Sequence, residues 1–162
     1  MRKVIVNSTP LIALCNVERL DILNKLYGEI MIPKAVYEEI SVKENSVCKR
    51  MIDESKGWVK IKSIQNEMAK LMFKSQLHDG EVEVMILAKE EDADLVIIDD
   101  GNARKHAKYL GLTLTGTIGV LIKAKQMGYV SEIKPLLEGL CKSGIYLSKE
   151  LFEKCLDIVN EN

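Results

Sequence analysis

The strongest constraint on this chain is a rhythm. Five short apolar runs, Lys3 to Val6, Glu29 to Ile32, Trp58 to Ile61, Leu95 to Ile98 and Leu112 to Leu114, are separated mostly by longer segments of helical period. Near-continuous apolar strands need burial on both faces, and a chain that alternates strand with helix supplies it in a parallel sheet covered on each side. An α/β fold with a central, mainly parallel sheet of about five strands is therefore expected. The helix ends agree. Gly28 closes the segment from Leu20 to Tyr27, Gly111 the one from Asn102 to Leu110, and Gly128 the one from Ile118 to Met127, while Ser148 can cap Lys149 to Val159. The 162 residues contain no Pro- or Gly-rich linker, so one domain over 1–162 is expected, with 129–162 as a C-terminal helical extension packed on it. Residues 43–57, charged and closed by Gly57, read as a solvated helix or loop.

Several function classes fall away. Lysine and arginine nearly balance aspartate and glutamate, leaving a formal charge of −1, so any site for a polyanion must be local. The cysteines, Cys15, Cys48, Cys141 and Cys155, form no CxxC pair, and the two histidines lack HExxH spacing, which argues for a reduced cytosolic protein without structural zinc. No apolar run approaches the ~18 residues of a membrane span, and no leader-like segment precedes the first strand, so a soluble, cytoplasmic protein is expected. GxGxxG, GxxxxGK and GxSxG do not occur, which removes the dinucleotide, P-loop and serine-hydrolase readings.

Polar residues at the strand ends point elsewhere. In VIVNSTPLIAL, residues 4–14, Asn7 sits at the carboxyl end of a buried strand, where ligands collect in open α/β sheets; Thr9 would be the N-cap of the next helix and Pro10 its first residue. In IPKAVYEEI, residues 32–40, Val36, Tyr37 and Ile40 share one helical face; Glu39 flanks it and can look into a cleft, whereas Glu38 points nearly the opposite way. In HDGEVEVMILA, residues 78–88, Asp79 reads as the N-cap of a buried helix. Glu81 and Glu83 follow in its first turns, about 200° apart, so both cannot face one centre. In DLVIIDDGNAR, residues 94–104, a buried strand ends in Asp99 and Asp100.

Taken singly, each acid suits a cap or a turn. Together they gather carboxylates at the ends of several elements of one sheet. Crowded carboxylates call for a proton or a cation, and hard oxygen ligands suit Mg²⁺ or Mn²⁺. Such a cluster can activate water and stabilise phosphodiester charge during in-line displacement. Thr115, Gly116 and Thr117 offer hydroxyls and N–H groups to a phosphate at a helix start, and Arg104, Lys105, Lys108, Lys123 and Lys125 can contact a nucleic-acid backbone.

The ordered set VIVNSTPLIAL, IPKAVYEEI, GEVEVMILA, LVIIDD and TGTIGVLIKAK spans nearly the whole chain and resembles the PIN-domain nucleases, within them the prokaryotic PIN-like proteins related to VapC-type toxins. The resemblance implies a three-layer α/β/α fold around a parallel sheet. It also implies a Mg²⁺- or Mn²⁺-dependent endoribonuclease that cleaves RNA with activated water, frequent homodimers and, in toxin operons, a small antitoxin partner. Carried over residue by residue, the first family acid falls on Asn7, the second on Glu39, the third on Glu81 with Glu83 in reserve, and the fourth on Asp100 with Asp99 beside it. Glu39, Glu81 and Asp100 are then the catalytic acids. Asn7 and Asp99 join these three as metal ligands, and Ser8, Thr9, Arg104, Thr115 and Thr117 are substrate contacts. The departure is Asn7, whose amide oxygen can ligate a hard cation but brings no charge and cannot act as a base. The alternative is a catalytically weak or inactive PIN-like module that binds RNA or protein. A receiver-like domain would need an acceptor aspartate and a lysine at further strand ends, which are not both present.

Overall fold

The computed structural model describes residues 2–42, 46–73 and 77–162. In chain order the elements are β1 (Val4–Val6), α1 (Ser8–Asn16), α2 (Asp21–Tyr27), β2 (Ile30–Pro33), α3 (Lys34–Ile40), α4 (Val47–Asp53), β3 (Val59–Lys62) and α5 (Glu67–Phe73). They continue as α6 (Asp79–Glu90), β4 (Leu95–Ile97), α7 (Gly101–Tyr109), β5 (Leu114–Thr115), α8 (Thr117–Gln126), α9 (Lys134–Lys142) and α10 (Lys149–Ile158). The sheet has five strands in the order β3-β2-β1-β4-β5, and every neighbouring pair is parallel. Ile5 pairs with Met31 on one side of β1, and Val6 with Ile97 on the other.

The register follows from burial. All residues of β1, β2 and β4 are buried, so both faces of the central strands are covered, by α6 against β1 and β2 and by α2 against β2. The helices flank the sheet in a three-layer α/β/α arrangement. Edge strand β3 buries only Val59 and exposes Lys60 and Lys62, charges that discourage pairing with another chain. Because the chain leaves β1 first toward β2 and later returns to its other side at β4, the strand order reverses between β1 and β4. In open α/β sheets the crevice at such a reversal, beyond the carboxyl ends of the strands, is where ligands commonly bind.

Three local expectations are corrected. Helix α1 begins at Ser8 with Asn7 as its N-cap, not Thr9, so Pro10 is its third residue, still within the turn whose N–H groups have no helical partner. Helix α6 is capped by His78, with Asp79 its first residue. Of the stretch read as solvated, residues 43–45 lie outside the described residues, but α4 buries Cys48 and Ile52 and packs on α1. Its Ser46 caps it through the Lys49 N–H at 3.1 Å. Toward the end of the chain, α9 contacts α1 and α10 contacts α8. Glu161 accepts the N–H groups of Ile133 and Lys134, at 2.8 and 2.9 Å, and its side chain pairs with Lys125 at 3.4 Å. Among the described residues, no helix is long and apolar enough to cross a membrane.

Candidate active site

Asn7 extends the ladder of β1 by one bond, its N–H donating to Ile97 C=O at 3.0 Å, and is 2 % exposed. An N-cap asparagine ordinarily accepts the N–H of the second or third helical residue. Here the third is Pro10, which has no N–H, and the Asn7 side chain makes no capping bond. Its Oδ1 is the buried side-chain polar atom that lacks a hydrogen-bond partner among the described residues. Leaving such an acceptor unsatisfied costs on the order of 1–3 kcal/mol, which favours a water, a donor or a cation bound at that point.

Gly80, in the first turn of α6, borders that site. A Cβ there would stand 3.9 Å from Asn7 Oδ1 and 2.7 Å from Glu39 Oε2. The missing side chain keeps space open between the amide and the carboxylate. Glu39 reaches this point because Val36 and Ile40 bury the inner face of α3, which leaves residue 39 on its flank. Glu38 pairs with Lys34 at 4.0 Å in solvent.

Glu81 enters from α6, and its Oε1 accepts the His78 N–H at 3.0 Å, the reaching-back half of a capping box. Burial pushes its carboxyl above the ordinary range; the His78 N–H opposes this, and the charges of Asp100 and Glu39 add to the rise. Asp100 and Glu39 are therefore both close enough for their charge to be felt at Glu81. Asp100 caps α7, its Oδ2 accepting the Ala103 N–H at 2.9 Å.

Other sequence candidates are drawn into different contacts. Glu83 turns away from Glu81, as helical geometry demands: Oε1 accepts the Ala35 N–H at 3.1 Å and Oε2 pairs with Lys70 at 2.7 Å. Asp99 binds Thr117 with both oxygens, Oδ1 from its N–H at 2.8 Å and Oδ2 from its hydroxyl at 2.6 Å. The start of α8 is thus closed by a carboxylate of the chain itself. Arg104 donates from Nη1 to Ile98 C=O at 2.8 Å, beside Gly116. Ser8 is buried and Thr9 exposed at the start of α1, while Thr115 is half-buried at the end of β5. Lys123 stacks over the Tyr27 ring at 5.3 Å and Lys125 is paired with Glu161, whereas Lys105 and Lys108 are exposed on α7.

A cleft of about 430 Å³ opens beside the centre, lined by Glu39, Lys70, His78 and Gly80 among others. Sequence reasoning singled out neither Gly80 nor Lys70. Gly80 had a signal, a helix-weakening residue inside an otherwise strong helical run. Lys70 had none, because its partner lies on another helix.

Among the described residues, no three His, Cys, Asp or Glu side chains converge closely enough to hold an ion by themselves. The gathered donors are oxygens, however, and the orphaned Asn7 carbonyl beside the space over Gly80 fits a hard divalent cation. Mg²⁺ in particular is commonly held by only one or two carboxylates rather than by a full protein cage.

An all-parallel α/β sheet with carboxylates and an unsatisfied carbonyl near the carboxyl ends of its strands has the general form of a ligand-binding α/β protein. A family model described as a PIN domain matches residues 3–161, and the chain belongs to the PIN-domain family. The family is one of nucleases that act on RNA and generally depend on divalent metal. No curated protein matches the chain.

Proposed function

We propose that the protein is a metal-dependent endoribonuclease that hydrolyses RNA phosphodiester bonds in the crevice between β1 and β4. The observation that carries this is the buried Asn7 Oδ1, unpartnered beside the Glu39 carboxylate. Asn7, Glu39, Glu81 and Asp100 would hold the ion. When bound, Mg²⁺ or Mn²⁺ supplies Lewis-acid stabilisation of phosphoryl charge and makes water acidic enough to yield a nucleophile.

The protein's own groups do the rest. Glu81 and Asp100 are each fixed through one oxygen by a backbone N–H, which aims the side chain without neutralising it. Glu81, whose second oxygen is not taken by the His78 N–H, is placed to accept a proton from the attacking water. Asn7 orients through its carbonyl and carries no proton. Arg104, anchored on Ile98 C=O, presents the rest of its guanidinium fork to a phosphate. Ser8, Thr9 and Thr115 supply hydroxyls at neighbouring element ends. Asp99 and Thr117 shape the wall.

The toxin of a toxin–antitoxin pair, acting in the cytoplasm as a homodimer with a small antitoxin partner, is the role that the likeness to VapC-type proteins supports. One observation favours a second reading. An amide in place of the first acid lowers the charge available to a cation, as expected of a weakened or silent module that binds RNA or protein.

The test is cleavage of a structured RNA pool in Mn²⁺, Mg²⁺ and EDTA by wild type, Asn7→Asp and Asp100→Asn. Asparagine is as good an N-cap as aspartate, so Asp100→Asn leaves α7 intact. Metal-dependent cutting lost in Asp100→Asn supports the nuclease. Cutting by Asn7→Asp alone identifies a disarmed centre, and silence of all three overturns the proposal in favour of the binding module.

A further inference from the structure

Glu83 is a buried acid for which the candidate centre has no use. Its side chain is 8 % exposed and that of its partner Lys70, on α5, is 22 % exposed. Glu83 Oε1 accepts the Ala35 N–H at 3.1 Å, one of the donors in the first turn of α3 that no helical carbonyl can reach. The N-cap of α3, Pro33, has no side-chain acceptor to offer. Glu83 therefore does from another helix what a capping residue does locally. Helix α3 spans seven residues, too few to hold its own orientation, and it leans on α6 for support. Ala35 and Glu39 are four residues apart, one above the other on the same face. The helical row pinned at its start by Glu83 thus carries the Glu39 carboxylate one turn later.

We infer that Glu83, with Lys70, is a positioning residue that seats α3 on α6 and so holds the Glu39 carboxylate against Gly80. This rests on Glu39 being a ligand of the proposed metal centre. The division of labour explains why two glutamates two residues apart occur on one helix. Glu81 faces the crevice, and Glu83 anchors the helix that delivers the facing acid. Lys70 neutralises Glu83, so the brace adds no net charge to an already crowded cluster, and it ties α5 to the same point. Glutamine at 83 keeps an acceptor for the Ala35 N–H and loses only the Lys70 pair, whereas alanine removes both contacts.

The experiment uses the full chain and four variants: Glu83→Ala, Glu83→Gln, Glu39→Ala and the Glu39→Ala/Glu83→Ala double. Mn²⁺ affinity without RNA, RNA cleavage and hydrogen exchange of α3 are measured well below each melting temperature. Glu83→Ala is expected to quicken exchange in α3 and to lower Mn²⁺ affinity and kcat by about 10–100-fold, the usual loss when the support of a ligand is removed, with KM little changed. Glu83→Gln should keep part of each, and it serves alone if the alanine variant does not fold. In the double variant the Glu83 substitution should add nothing to the loss caused by Glu39→Ala, because the group it positions is gone. Full additivity overturns the proposal and makes Glu83 an independent contributor. A lowered melting temperature with unchanged affinity and kcat overturns it as well, leaving a purely structural contact. A Glu39→Ala variant that binds Mn²⁺ and cuts like wild type removes the ligand reading itself, and with it the positioning role, even where exchange in α3 still responds to Glu83. Unchanged exchange in α3 beside an impaired Glu39→Ala refutes the brace while the ligand reading stands.

Discussion

Replacing Gly80 with alanine adds one methyl group between Asn7 and the Glu39 carboxylate. The new Cβ would stand 2.7 Å from Glu39 Oε2, 3.4 Å from Val36 Cγ2 and 3.9 Å from Asn7 Oδ1. The last two contacts are tolerable. The first is not, since unstrained contacts of carbon with a neighbouring heavy atom relax near 3.5 Å, so the Glu39 carboxylate must withdraw by about 0.8 Å. The Glu39 side chain is exposed, so it can give way there at little cost to the fold. Helix α6 meanwhile gains up to about 1 kcal/mol from the exchange of glycine for alanine, worth roughly 2–4 °C in a chain of this size. A carboxylate displaced by nearly 1 Å can cost about a hundredfold in rate. Gly80→Ala is therefore expected to melt at or slightly above the wild-type temperature while both Mn²⁺ affinity and RNA cleavage fall by one to two orders of magnitude. Thermal unfolding by circular dichroism, Mn²⁺ titration and single-turnover cleavage separate the two effects. A variant that is folded, stable and unchanged in both metal affinity and cleavage would refute the reasoning, because Glu39 would then have no working position to lose.

Gly116, at the start of α8, should behave in the opposite way. In Gly116→Ala the new Cβ meets Asp99 Oδ1 at 2.6 Å and the Ile98 carbonyl oxygen at 3.5 Å, and Asp99 cannot step aside because Thr117 holds both of its oxygens. Urea unfolding is expected to show a loss of about 1–3 kcal/mol, and wild-type stability would count against the contact. Thr117→Val keeps the shape of the side chain but removes the donor to Asp99 Oδ2; a loss of about 1–3 kcal/mol is expected in the same assay. At Glu161, burial pushes the carboxyl up, but the N–H groups of Ile133 and Lys134 and the Lys125 ammonium outweigh it and hold the carboxyl below its ordinary range. A depressed carboxylate contributes fully above its unfolded pKa and loses that contribution as pH falls through the native value. The melting temperatures of wild type and Glu161→Gln should accordingly differ most at neutral pH and converge in acid; a gap independent of pH would show that charge plays no part.

The parts of this protein legible in its sequence are those set by local periodicity. Val4 to Val6, Ile30 to Ile32 and Leu95 to Ile97 are apolar without alternation, and they are the central strands buried on both faces. The 100° step of a helix separates Glu39 from Glu38 and Glu81 from Glu83, and the members of each pair take different partners: Glu39 lies against Gly80 while Glu38 pairs with Lys34, and Glu81 accepts the His78 N–H while Glu83 accepts that of Ala35. Helix starts were less legible, because Thr9 and Asp79 are good caps by type, while Asn7 and His78 stand at the positions where the backbone turns. What only the tertiary structure decided is which polar groups have partners. Asp99 and Asp100 are adjacent and alike in sequence. Pairing of β4 with β5 brings Thr117 to the first, and the start of α7 leaves the second at the crevice. Lys70 finds Glu83 across two helices, and Glu83 finds Ala35 at a separation of 48 residues. The strand order brings Asn7 beside residues 39 and 80, with a proline where its capping partner would be, and leaves its carbonyl unsatisfied. Hydrogen-bond satisfaction is settled between segments distant in sequence, and no local spacing encodes it.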